Sequence, residues 1–215
     1  MTEPKLINET IARLRTMHPD AHCELNYETP HQLLVATIMS AQSTRVRVNL
    51  VTPTLFEKYK TPVDFAVANP TDIEEIIRPV GFFRQKTKFI QESARTIVHQ
   101  FGGEIPNNMD DLLTLKGVAR KTANAVLGEI YQISEGVTVD THVKRIAHKL
   151  GWVSTNKDPV KVEKELMALL PQSNWIEISH LLVFHGRRIC YARSPQCANC
   201  LLNDICPSSE IINPD

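Results

Sequence analysis

The chain has 215 residues, enough for one sizeable core or for two small lobes. Apolar residues make up 42%, which excludes a disordered chain, and no run reaches the ~18 uncharged apolar residues that a membrane span needs. Basic and acidic residues balance at 24 each, so a uniformly basic nucleic-acid-binding protein is excluded and only a local patch could meet phosphates. Met1-Thr2-Glu3-Pro4-Lys5 lacks the basic-then-apolar pattern of a secretory leader, and a cytoplasmic protein is expected.

In chain order, Leu6, Ile7, Ile11, Leu14 and Met17 fall at helical spacing, with Pro19 ending the segment. Pro30 opens a very apolar helix, His31 to Ser40. Arg45 to Tyr59 continues as a helix that must accommodate Pro53 or break at it. Two short helices follow, Pro62 to Val67 and Thr71 to Ile77, the second with Thr71 as its cap. Arg84 to Phe101 reads as a longer amphipathic helix ended by Gly102-Gly103. Met109 to Leu115 is short, Gly117-Val118-Ala119 is a tight turn, and Arg120 to Tyr131 is the next helix. Val137 to Asp140 reads as extended. Helices then run from Thr141 to Leu150, from Asp158-Pro159 to Leu170, and from Trp175 to Phe184. From Arg188 the periodicity is lost. The pattern predicts an all-α globule of two helical lobes with no linker visible between them.

Three places carry chemistry. Four of the five cysteines, Cys190, Cys197, Cys200 and Cys206, fall within 17 residues at separations of six, two and five. In a cytoplasmic chain such clustering points to metal rather than disulfides, and on general grounds zinc is the commoner occupant. The fifth, Cys23, reads as a small buried apolar residue. Second, Leu112 to Ala123 forms a helix, a turn and a helix. The amides and dipole at the second helix N-terminus suit a phosphate, although an αα-hairpin that merely packs fits equally well. Lys121 lies in that first turn, where the dipole disfavours an ammonium; alone it would be read as a solvated side chain. Third, Asp140 closes an extended stretch and opens a helix, the ordinary setting of an N-cap. Residues 116–149 hold six basic residues against three acidic ones, and residues 184–203 hold three arginines and no acid.

These segments together resemble the endonuclease III family of DNA glycosylases, from about Leu6 to Cys206 and with the motifs in the family's order. Cys-x6-Cys-x2-Cys-x5-Cys resembles that family's four-iron four-sulfur loop, which displaces zinc as the expected occupant of Cys190, Cys197, Cys200 and Cys206. Leu115-Lys116-Gly117-Val118-Ala119 resembles its helix-hairpin-helix turn, Leu-Pro-Gly-Val-Gly, with Lys116 in place of proline and Ala119 in place of the second glycine. Val139-Asp140-Thr141-His142-Val143-Lys144-Arg145 resembles its aspartate motif. The resemblance implies a six-helix barrel from residues 22–133 and a cluster domain from residues 1–21 and 134–215, with a DNA cleft between them. It implies Lys121 as a Schiff-base nucleophile and Asp140 as its acidic partner.

The same resemblance implies double-stranded DNA with damaged bases or abasic sites as substrate, bound by a monomer on the bacterial nucleoid. Ser40-Ala41-Gln42-Ser43-Thr44 resembles the family segment whose glutamine enters the duplex, which assigns Gln42 as a wedge. Arg45 stands where the family usually has an acid. Gly81-Phe82-Phe83 matches a loop that is usually Gly-Leu-Tyr, which makes Phe82 a second wedge. Gly117, Ala119, Arg120, His142, Arg145 and Arg193 are the expected DNA contacts, Arg193 being the one basic residue between the first two cysteines. The function implied is a bifunctional glycosylase and lyase that removes oxidised pyrimidines and cleaves the strand by β-elimination. The competing readings are a monofunctional glycosylase, or a catalytically silent DNA-binding or redox-sensing protein on the same scaffold. Lys121 and Asp140 together speak against the silent one.

Overall fold

The computed structural model describes residues 4–212. The part of the N-terminal reading that rests on Met1, Thr2 and Glu3 therefore lies outside the described residues. Among those described, all regular structure is helical and no helix is long and apolar enough to cross a membrane. Val137–Val139, expected as extended, makes no strand pairing. The chain divides into two compact units, one of residues 24–133 and one of residues 1–23 with 134–215.

The continuous unit holds α2 (Pro30–Ser40), α3 (Arg45–Lys58), α4 (Pro62–Val67), α5 (Pro70–Ile77), α6 (Phe83–Gln100), α7 (Met109–Thr114) and α8 (Arg120–Val126). Helix α2 is apolar around most of its circumference, with Leu33, Leu34, Val35, Ala36, Ile38 and Met39 all buried, and a helix of that kind must be surrounded. It packs against α3, α6 and α8. Side-chain caps fix most of the starts. Thr29 accepts from the Gln32 amide, Thr44 from Arg47 and Asn108 from Asp111, and Thr61 with Asp64 forms a reciprocal capping box. The cap of α5 is Asn69 rather than the expected Thr71, because Pro70 takes the first helical position and moves the cap two residues earlier.

Pro53 lies inside α3 without breaking it. Proline cannot donate to the carbonyl of Asn49, and the Thr52 hydroxyl donates there instead, at 3.4 Å. Helix α8 does not run unchanged to Tyr131 as expected; from Leu127 it widens into a π-helical turn, Leu127–Tyr131, closed by Gln132 in the left-handed region.

The turn between α7 and α8 is built against α6. The Val118 amide donates to Leu115 O, and the Ser93 hydroxyl of α6 donates to Lys116 O at 2.6 Å. Gly117 has φ +77°, and a Cβ there would sit 2.8 Å from Phe89 Cδ2, so the position needs glycine twice over.

The discontinuous unit holds α1 (Pro4–Met17), α9 (Thr141–Lys149), α10 (Pro159–Leu169) and α11 (Trp175–Arg188), followed by an irregular tail with one 3₁₀ turn, Cys197–Asn199. Helix α11 extends one turn past the expected end at Phe184, its last turn carrying His185, Arg187 and Arg188. The core joins Ile7, Ile11 and Leu14 of α1 to Val143 and Ile146 of α9, Leu166 of α10, and Ile178, Leu181 and Leu182 of α11. Polar links join α1 and the loop after it to distant chain. Arg15 binds Glu177 with two hydrogen bonds, Arg188 binds Asp20 likewise, and Arg13 reaches Asp204 and the Leu201 carbonyl.

Two measurements check this packing. His31 is buried in α2 against Phe65, and burial pushes its imidazole down to about 4, with Asp64 opposing weakly. Its folded value lies below the ordinary 6.5, so the unfolded chain takes up a proton that the folded chain refuses. Stability is therefore lost as pH falls from 6.5 towards 4, by roughly 2–3 kcal/mol from this group. Urea unfolding of His31→Leu should show that much less loss between pH 7.5 and 4.5 than the unaltered chain. At the turn, Gly117→Ala should cost about 3 kcal/mol, the sum of left-handed strain and the clash with Phe89. Gly102→Ala, where φ is +63° but no atom lies within 4 Å, should cost about 1 kcal/mol by the same assay.

Candidate functional site

In the continuous unit, the candidate residues cluster on turns. Lys121 is exposed as the second residue of α8, and Arg120 is exposed beside it. Ala119 occupies the N-cap position and supplies no side-chain hydrogen bond. The first amides of α8 thus have no side-chain cap, as they would with glycine there, and the added methyl lies on an exposed residue. Lys116 and Gly117 are exposed on the same turn.

Gln42 and Phe82 share an unusual backbone. Both are non-glycine residues in the left-handed region, with φ 53° and 49°, and both are exposed, Phe82 at 68%. Each conformation costs about 1–2 kcal/mol. Phe82 is held in it from below: its carbonyl accepts the Lys86 amide, and the buried Lys86 ammonium donates to Val80 O at 3.0 Å. Exposure of a large ring on a strained, braced backbone gives no burial in return, so the cost is one that packing does not explain. Arg45, where the family usually has an acid, pairs with Glu24 at 3.0 Å.

In the discontinuous unit, Asp140 is the N-cap of α9 in the literal sense. Its Oδ1 accepts both the His142 amide at 2.8 Å and the Val143 amide at 2.9 Å. That pair of bonds fixes the carboxylate plane and leaves Oδ2 outside the cap. His142 lies on the next turn face, its Nδ1 3.5 Å from Arg145 Nη2. Arg145, expected at a DNA phosphate, is placed differently. Its guanidinium donates to Cys190 O at 2.6 Å and Gly186 O at 3.0 Å and lies 3.9 Å from Cys190 Sγ. Those carbonyls end α11, and an arginine can satisfy both with its fork. A Cβ on Gly186 would meet His142 Nδ1 at 2.9 Å and Arg145 Nη2 at 3.0 Å, so this glycine admits the arrangement. Arg193 is exposed on the cysteine loop.

Cys190, Cys197, Cys200 and Cys206 all line one cavity, with Ile146, Leu150, His185 and Leu202 among its walls. All four are free thiols. Among the described residues, no three His, Cys, Asp or Glu side chains converge on a point that could hold a single metal ion. Four sulfurs spread around a cavity suit a polynuclear centre better than one tetrahedral zinc. Burial, and then the neighbouring thiols, push the Cys200 thiol up to about 11 and Cys206 in the same direction. Thiols so placed become thiolates only against strong positive charge, which iron supplies. The residues therefore fit an iron–sulfur cluster.

Sequence reasoning missed the braces of this site. Ser93, Lys86 and Gly186 act through contacts between segments that no local pattern links. His18 and His185, buried with Nε2 and Nδ1 3.2 Å apart, are 167 positions apart in the chain.

Comparison with known proteins gives these geometries a family. Residues 35–172 match the HhH-GPD superfamily of base excision DNA repair proteins, and residues 190–206 match the iron-sulfur binding domain of endonuclease III. Endonuclease III of a Synechocystis strain is 50% identical over 94% of this chain and 92% of its own length. Endonuclease III of Bacillus subtilis is 39% identical over 96% and 94%. Among solved structures, a trapped endonuclease III–DNA covalent intermediate superposes with TM-score 0.91 at 38% identity, over 99% of this chain and all of the other. A non-covalent endonuclease III–DNA complex gives 0.92 at 37%, covering both chains completely. The chain belongs to the endonuclease III family, within the HhH-GPD superfamily of base excision DNA repair proteins.

Proposed function

We propose that this chain is a bifunctional DNA glycosylase and abasic-site lyase of base excision repair, carrying a four-iron four-sulfur cluster and acting on oxidised pyrimidines and abasic sites in duplex DNA. The observation that carries the reading is an exposed lysine, Lys121, at the start of α8, in a chain whose likeness to an endonuclease III caught covalently on DNA runs its full length. A lysine in that place distinguishes a Schiff-base chemistry from simple hydrolysis.

The steps follow from the residue chemistry. The target nucleotide leaves the stack, and Gln42 and Phe82 fill the gap and steady the orphan base. Their left-handed backbones, braced by Lys86 at Phe82, set the two exposed side chains before DNA arrives. The α8 amides that Ala119 leaves uncapped take a backbone phosphate, with Lys116, Gly117, Arg120, His142 and Arg193 as further contacts. Lys121 Nζ, once deprotonated, donates its lone pair to C1′ as the glycosidic bond breaks and the base leaves with the bond electrons. Asp140 accepts the lysine proton and opposes the positive charge that develops on the sugar. Ring opening gives an imine between Nζ and C1′. The imine acidifies the 2′ hydrogen, loss of that proton expels the 3′ phosphate, and water then hydrolyses the imine to free Lys121.

Cys190, Cys197, Cys200 and Cys206 serve as the cluster ligands. A cluster held by these four cysteines would supply structure and charge to the tail rather than a hydrolytic centre. The protein works as a monomer on the nucleoid.

Borohydride should trap the imine as a covalent protein–DNA adduct on a duplex with one thymine glycol or abasic site. Lys121→Ala should abolish trapping while helicity and about four irons per chain are kept. Asp140→Asn retains a capping oxygen, so its fold should survive while base release slows by ~10²-fold or more. Base release by the unaltered chain without any trapped adduct would identify a monofunctional enzyme instead. Damage-independent binding without any cleaved strand would identify a silent copy.

A further inference from the structure

The buried pair His18 and His185 is not used by the glycosylase chemistry. It lies in the discontinuous unit, against the cysteine cavity. His185 is 3% exposed and lines that cavity; His18 is 2% exposed. His18 Nε2 lies 3.2 Å from His185 Nδ1, and His185 Nε2 lies 3.8 Å from Cys200 Sγ. Three groups are thus in line, and the hydrogen-bonding roles can be solved from one end.

A thiolate sulfur bound to iron can only accept. His185 Nε2 must then carry the N–H that points at Cys200. A neutral imidazole has one N–H, so His185 Nδ1 is a bare acceptor. It must receive a hydrogen from His18 Nε2, which leaves His18 Nδ1 bare. His18 Nδ1 is a buried atom with no hydrogen-bond partner. The opposite polarity would strand an N–H there, the costlier group to leave unpaired in a protein interior. One assignment therefore satisfies every polar atom of these three side chains except the lone pair on His18 Nδ1. Cys200 Sγ also accepts the Leu202 amide at 3.4 Å, so this sulfur takes two donors.

We propose that His18 and His185 form a fixed hydrogen-bond relay ending on the Cys200 sulfur, in which His185 is a positioning residue that sets the reduction potential and the iron retention of the cluster. Donors to a ligand sulfur stabilise the more electron-rich state of the centre and hold the ligand against loss. His18, four bonds removed from any sulfur, acts by locking the tautomer and ring orientation of His185. The proposal rests on the reading of Cys200 as a cluster ligand.

The test uses the full chain with its cluster. His185→Leu removes the donor and keeps the volume; His185→Gln keeps an amide N–H near the Nε2 position; His18→Leu leaves His185 in place but takes away its partner. Film voltammetry should show a lower reduction potential for His185→Leu, a smaller shift in the same direction for His18→Leu, and a value near the unaltered chain for His185→Gln. Iron release to a chelator, followed by loss of visible absorbance, should run about 10-fold faster in His185→Leu. Equal potentials and release rates in His185→Leu and the unaltered chain would overturn the relay. If His185→Leu fails to take up iron, an unshifted potential in His18→Leu overturns it alone. Cys200→Ala separates this from the ligand reading: full iron content in that variant means that Cys200 is no ligand, whereas iron loss there with unshifted histidine variants means that the relay fails and the ligand stands.

Discussion

The tail that follows α11 has almost no regular structure: short turns pair part of its backbone with itself, and side chains from other segments tie it to the helices. Arg145 supplies the central link. Its two donors to Cys190 O and Gly186 O tie the first cysteine to the end of α11 and to α9 at once. Further along, the Ser208 hydroxyl bonds Lys149 O, and Arg13 of α1 bonds Leu201 O and Asp204. Helices α1 and α9 thus lend polar partners to a segment with almost no regular structure of its own. The position of Arg145, five residues after Asp140, also means that one short helix carries the carboxylate at its first turn and the link to the cysteines on its second. Any movement of α9 is therefore felt at both places.

Much of this was legible in the sequence, and the reasons are local. Proline, threonine and asparagine mark the helix starts by chemistry that acts over two or three residues, and most boundaries fall within a residue of expectation. Where expectation slipped, a local rule met a competitor. Thr71 lost the cap of α5 to Asn69 because Pro70 fits the first helical position. Trp175–Arg188 ran a turn beyond Phe184 because its last turn is stabilised by what lies outside the helix, including the Arg188 pair with Asp20. The π-helical turn after Val126 has no sequence mark of its own.

The site was legible through its chemistry-bearing residues and illegible through their supports. Lys121, Asp140 and the four cysteines stand in recognisable local strings. Ser93 braces the turn before Lys121, Lys86 braces Phe82, Gly186 makes room for Arg145 and His185 lies beside Cys200; most of these supports come from distant segments, and nothing in their neighbourhoods sets them apart. Arg145 shows the same limit in reverse: its string is the right one, yet its guanidinium turns inward, because two unclaimed carbonyls at the end of α11 lie within its reach. Charge pattern alone cannot tell an arginine that meets solvent from one that satisfies a helix end.

The discontinuity of the second unit has a consequence for how the chain is made. Residues 24–133 form a unit complete in itself, and they leave the ribosome as an uninterrupted stretch. Helix α1 is synthesised first, yet its apolar face, Ile7, Ile11 and Leu14, has its partners in α9 and α11. At about 10 residues per second, that face waits on the order of ten seconds before α9 is even translated. The nascent chain thus carries an exposed apolar helix while the unit behind it folds. The half-assembled chain, with that face still uncovered, is the species most open to chaperones and proteases.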